Sequence, residues 1–126
     1  MAYRLSKPAF GELVERALDA LPPQFADFIS EVPIEVRDRP TPAQLQSIGA
    51  RENTLLLGLY RGRPLTQRNV EESGRLPDVI YIFQEPIQQV SNSEEELTEQ
   101  VRKTVLHEIG HHFGMSERDL EELGYG

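Results

Sequence analysis

The chain has 126 residues, with 13 Lys or Arg against 21 Asp or Glu, and so carries a formal net charge of −8. That length fits one domain over residues 1–126, with enough chain to bury a core. The acidic balance excludes a general phosphate-collecting surface for nucleic acid and docking on an anionic membrane.

Cysteine is absent, which removes disulfides, thiolate zinc sites and thiol nucleophiles and makes a cytosolic (cytoplasmic) location the simplest expectation. The opening residues put no apolar run behind their charges, so no secretory signal is expected. No window approaches the roughly 18 apolar residues of a membrane span.

Ser6-Lys7-Pro8 opens a first helix, with Ser6 as cap and Pro8 in the first turn. Phe10, Leu13, Val14, Ala17, Leu18 and Leu21 then share one face at helical spacing. Pro22 and Pro23 end it, and Phe25, Phe28 and Ile29 give a second, shorter helical stretch its apolar side. Val32, Ile34 and Val36 alternate with Pro33, Glu35 and Arg37, the pattern of a half-exposed strand that Pro33 places near an edge. Thr41-Pro42 starts a short helix expected to carry Leu45 and Ile48 inward.

Thr54 to Tyr60 reads as a more buried strand, and Asp78 to Gln84 as another, ended by Pro86. Between them, Arg61 to Pro77 holds Arg61, Arg63, Arg68 and Arg75, either a solvated loop or a flap that meets a carboxylate. Ser93-Glu94-Glu95-Glu96 is a capping box with acids at the positive end of the helix dipole. That helix should run to about Phe113 and stop at Gly114, with Ser116 capping a last short helix. The class is α+β, with N-terminal helices, a small mixed or antiparallel sheet and a helix near the C-terminus.

The long helix carries His107-Glu108-Ile109-Gly110-His111, an HExxH sequence. Residues four apart differ by about 40° around a helix, so His107 and His111 point the same way and can share one metal. Leu97, Val101, Val105, Leu106, Ile109 and Phe113 cover about half the helix circumference, and the two histidines fall outside that arc. They are placed to face a cleft. Glu108 sits on the flank between them and the apolar face, where its carboxylate can reach a zinc-activated water and act as general base. His112 points about 100° away from His111 and reads as a residue that packs or that supports a ligand from behind.

A catalytic zinc takes three protein ligands and an open position. The downstream carboxylates are Glu117, Asp119, Glu121 and Glu122. Glu117 lies six residues beyond His111 and completes H-E-x-x-H-x-x-G-x-x-E, whereas Asp119 also reads as the partner of Ser116 in helix capping.

With the stretch VRKTVLHEIGHHFGMSERDLEELGYG, the chain resembles the small bacterial zincin-like metallopeptidases, the mini-zincins, formerly a domain of unknown function. The resemblance runs from two N-terminal helices through a short sheet to the active-site helix. It implies a minimal zincin-like fold, His107 and His111 as metal ligands, and Glu108 as the catalytic base. The family pattern ends in Asp where this sequence has Glu117, one methylene longer. By the same resemblance Tyr125 stands beneath the site, while Met115 reads as packing.

A zincin binds peptide as an extra strand along a sheet edge; Asp78 to Gln84 is the first choice for that edge and Thr54 to Tyr60 the second, with interior sheet the equal alternative for either. The cleft is then shallow, or completed by a partner chain such as a second copy in a homodimer. Three functions are compatible with these residues. The first is a zinc-dependent metallopeptidase acting on a peptide or protein substrate. The second is a non-catalytic metal-binding or protein-interaction domain on a zincin scaffold. The third is a metal-free module with a pH-sensitive histidine surface.

Overall fold

The computed structural model describes residues 2–21, 23–25, 29–30, 32–62, 78–112, 116, 118 and 122, with side chains for all of these except Gln24, His111 and His112. Helix α1 (Lys7–Asp19) begins as its sequence dictates: the Ala9 N–H donates to Ser6 Oγ at 3.2 Å, and Pro8 occupies the first turn. Its apolar face, Phe10, Leu13, Val14 and Ala17, is buried. A 3-10 turn follows at Pro23–Phe25, and Ile29 and Ser30 are helical. Phe28 lies outside the described residues.

The sheet has three strands, β1 (Ile34–Arg37), β2 (Gly58–Arg61) and β3 (Val79–Phe83), in the spatial order β1-β3-β2. β1 runs parallel to β3, pairing Ile34 with Ile80 and Val36 with Ile82. β2 runs antiparallel to β3, pairing Gly58 with Ile82 and Tyr60 with Ile80. The sheet is thus mixed, and the overall class is α+β. β1 is an edge strand, as Pro33 requires, and the Pro33 carbonyl still accepts from the Ile80 N–H at 3.0 Å.

Two strand expectations are corrected. The apolar Thr54–Tyr60 stretch does not form a long interior strand: pairing is confined to Gly58–Arg61, at an edge, and Leu55 is 48% exposed. The stretch from Asp78 to Gln84 pairs over Val79–Phe83 as the central strand, hydrogen-bonded on both sides and buried throughout. It therefore cannot offer an edge to a peptide. Apolar density reports burial but not how many neighbours a strand has, and so it ranked the two strands in the wrong order.

Helix α2 (Pro42–Ser47) lies between β1 and β2 and carries a full capping box of Thr41 and Gln44. Leu45 turns inward as expected, but Ile48, just past the helix end, is 47% exposed. A short helix that sequence reading missed, α3 (Gln84–Gln89), starts directly from β3. Pro86 sits in its first turn, so it does not simply end the strand; prolines are tolerated there because that N–H has no helical partner.

α3 holds the N-terminal segment. Gln84 Nε2 donates to the Leu5 carbonyl at 3.1 Å, the Leu5 N–H donates to Gln88 Oε1 at 2.8 Å, and the Tyr3 N–H donates to the Ser91 carbonyl at 2.8 Å. The buried glutamine pair thereby gains partners for its polar atoms.

Helix α4 (Glu94–His112) closes the core. Ser93 Oγ accepts from the Glu96 N–H at 3.1 Å, and Glu96 reaches back to the Asn92 N–H at 2.6 Å, one residue earlier than in the usual reciprocal cap. Leu97, Val101, Val105 and Ile109 are at most 1% exposed and pack with Phe10 and Leu13 of α1 and Ile80 and Ile82 of β3. On the sheet's other face, Val79, Tyr81 and Phe83 form a second small cluster with Leu56 and Leu59.

Candidate metal centre

α4 presents His107 and Glu108 to the end of β2. Glu108 is only 6% exposed, and its Oε1 accepts from the Tyr60 N–H at 2.7 Å. A buried carboxylate is costly unless strong donors meet it, and a short bond from a backbone amide to an ionised oxygen is one of the stronger kinds. The donor here belongs to an edge strand. In the antiparallel ladder the Leu57 carbonyl accepts from the Phe83 N–H at 3.0 Å, so Leu57, Leu59 and Arg61 turn their polar backbone groups toward β3. Gly58 and Tyr60 turn theirs outward, and Glu108 takes the outward N–H of Tyr60.

The close approach of β2 to α4 depends on Gly58. A Cβ at that position would stand 2.5 Å from Thr104 Cγ2 and 3.1 Å from the Tyr81 carbonyl oxygen. Thr104 cannot turn aside easily, because its hydroxyl donates to the Gln100 carbonyl at 2.7 Å. The far end of β2 is fixed in a similar way. Tyr60 donates its hydroxyl proton to Asp78 Oδ2 at 2.9 Å, and Gly62 has φ 148°, where a Cβ would fall 2.1 Å from Asp78 Oδ1. Only glycine fits such a backbone angle and such a gap without strain. Arg61 then bonds the Tyr81 hydroxyl at 3.0 Å from the other face.

A cleft of about 540 Å³ opens between β2 and α4. His107 and Glu108 line it with Gly58 and Tyr60, and Leu56 and Ile48 extend its apolar wall. His107 is half-buried there. His111 follows one turn later, its backbone within α4; its side chain and that of His112 lie outside the described atoms. Glu117, Asp119, Glu121 and Tyr125, with Phe113, Gly114 and Met115, also lie outside the described residues, as do the arginines of 63–77. Arg118 and Glu122 are helical and pair at 3.4 Å, as a last short helix requires. Among the described residues no three metal-binding side chains converge.

The described part of the donor set fits a metal of zinc's preferences. One imidazole lines the cleft, a second residue of that type follows at i+4 on the same helix, and the Glu108 carboxylate accepts a backbone N–H. The Tyr60–Glu108 bond was not foreseeable from sequence, since it joins residues 48 positions apart through a backbone atom that carries no side-chain signal.

A family model of zincin-like metallopeptidases matches residues 29–126. The match begins beyond α1, although α1 packs into the same core as the matched region. No curated protein matches the chain.

Proposed function

The chain belongs to the zincin-like metallopeptidase family, and on that premise we propose that it is a zinc-dependent peptidase that hydrolyses peptide bonds in the cleft between β2 and α4. The observation that carries this reading is the buried Glu108, held by the amide of an edge strand next to His107. A site that merely held a metal for stability would have no use for a desolvated carboxylate at that position.

His107 and His111 would hold the zinc, with Glu117 as the third donor. Zinc, when bound, supplies a Lewis acid that acidifies water and polarises a carbonyl oxygen. Glu108 receives the proton that water loses and passes it to the leaving amine. The Tyr60 N–H holds one carboxylate oxygen and so fixes the orientation of the Glu108 carboxylate. The outward backbone groups of Gly58 align an extended peptide, antiparallel because that pairing is the more stable. β2, the second choice on sequence grounds, is the strand suited to this role.

Zinc per chain, measured on protein purified without chelator or affinity tag, tests the metal site directly. Near one zinc per chain in the wild type, lost in His107→Ala, is expected. Hydrolysis of a peptide library should then vanish in Glu108→Gln while the zinc stays. Bound zinc without turnover would instead favour the protein-interaction reading on the same scaffold.

A further inference from the structure

The cleft extends along α4 toward its N-terminal end, past Thr104 to Lys103 and Gln100. Its wall there is aliphatic, made by Leu56, Leu57 and the exposed Ile48. Among the described residues that line this end of the cleft, Lys103 carries the positive charge. Glu99 stands four residues before it, at the spacing where a Glu–Lys pair would form on a helix. Glu99 is instead engaged by Arg102, whose Nε and Nη2 meet its two oxygens at 3.1 and 2.5 Å. Lys103 acts on Glu99 through its charge, but among the described residues no carboxylate stands in ion-pair contact with it, and Lys103 lines the cleft.

Direction follows from the packing. Gly58 lies against Thr104 and Tyr60 against Glu108, so β2 and α4 ascend together. A peptide antiparallel to β2 runs the other way, and its carboxyl-terminal part passes Gly58 toward Leu56 and Lys103. Lys103 precedes His107 by about 6 Å along the helix, close to two residues of extended peptide.

Resting on the peptidase reading for the position of the scissile bond, we infer that this end of the cleft selects substrates by their carboxyl-side residues: a bulky apolar side chain against Ile48 and Leu56, followed within two residues by a carboxylate paired with Lys103. The carboxylate is an Asp or Glu side chain or the peptide's own C-terminus.

Binding tests this without requiring turnover. The probes are acetyl-Ala-Ala-Leu-Ala-Glu-amide and the same peptide ending in Gln-amide, titrated against the full-length Glu108→Gln chain and, as a second host, against metal-free wild type. The Glu peptide should bind about threefold to tenfold more tightly. That preference should disappear in Lys103→Met and turn toward a Lys-terminated peptide in Lys103→Glu. Replacing the probe's Leu by Ala should weaken binding at least about tenfold. Equal binding of the Glu and Gln peptides, a preference that survives Lys103→Met, or no binding of either peptide overturns the inference. A preference that persists in a chain with no hydrolytic activity sustains the cleft assignment and removes the peptidase reading alone. A free-carboxylate version of the Gln peptide separates recognition of a C-terminus from recognition of an acidic side chain.

Discussion

The two edges of the sheet are built to opposite ends. β1 is preceded by Pro33, runs parallel to β3, its one neighbour among the described strands, and is flanked by charges: Arg37 pairs with Glu35 at 2.9 Å and Lys7 with Asp38 at 3.0 Å. These are devices that discourage another strand from adding to an edge. β2 carries Arg61 but, among its described residues, no proline. It carries a glycine where a side chain would block α4, and the outward N–H of Tyr60 ends on the carboxylate of Glu108. One edge is closed by charge and proline; the other is left open to chemistry and held by the group proposed to perform it.

That contrast can be broken by mutation, most severely at Glu108. Glu108→Gln should reduce peptide hydrolysis about 10²- to 10⁴-fold with zinc content unchanged, as read by turnover and elemental analysis side by side. Next in size is Gly58→Ala. Its new methyl meets a Thr104 fixed by its own hydrogen bond, so denaturant unfolding should show a loss of about 1–3 kcal/mol. A change of only a few tenths would mean that β2 and α4 separate easily and that the edge is not rigidly placed. On the β1 side, Lys7→Ala removes a pair whose side chains are 75% and 55% exposed. Unfolding midpoints should move by no more than a few tenths of a kcal/mol, and turnover should not change; a large effect would erase the asymmetry between the edges.

The smallest effect concerns pH. The Arg102 hydrogen bond holds the Glu99 carboxyl below its ordinary value, so the pair's contribution is complete above the normal carboxylate range. It is lost as pH falls through and below that range. With Glu99 about half exposed, the difference between wild type and Glu99→Gln should be a few tenths of a kcal/mol near neutrality, vanishing in acid. An unchanged difference at low pH would mean that Arg102 does not hold Glu99 in the folded chain.

Local chemistry was legible in the residues. Ser6, Thr41 and Ser93 cap their helices as read, α1 buries the face its spacing marked out, and HExxH lies on α4 beside a cleft. Neighbour relations were not. Val79–Phe83 and Gly58–Arg61 have similar apolar content, and only the pairing order separates a centre from an edge. Ile48 was assigned to the core because it follows Leu45 at i+3, yet the helix has ended by Ile48 and the chain carries it to the cleft wall. α3 has too few residues to display a period, and its role, receiving the backbone of Leu5 through Gln84 and Gln88, is set by partners distant in sequence.

Those distant partners govern how the chain reaches its fold. Leu5 bonds a glutamine 83 positions later, and the apolar face of α1 is covered by α4. During synthesis α1 emerges first and must wait, with Phe10 and Leu13 uncovered, until α4 has been made. Contacts of such long span close slowly, because the intervening chain loses its freedom before they form. Consolidation of the hydrophobic core therefore follows the synthesis of α4, and until then the apolar face of α1 is exposed to aggregation.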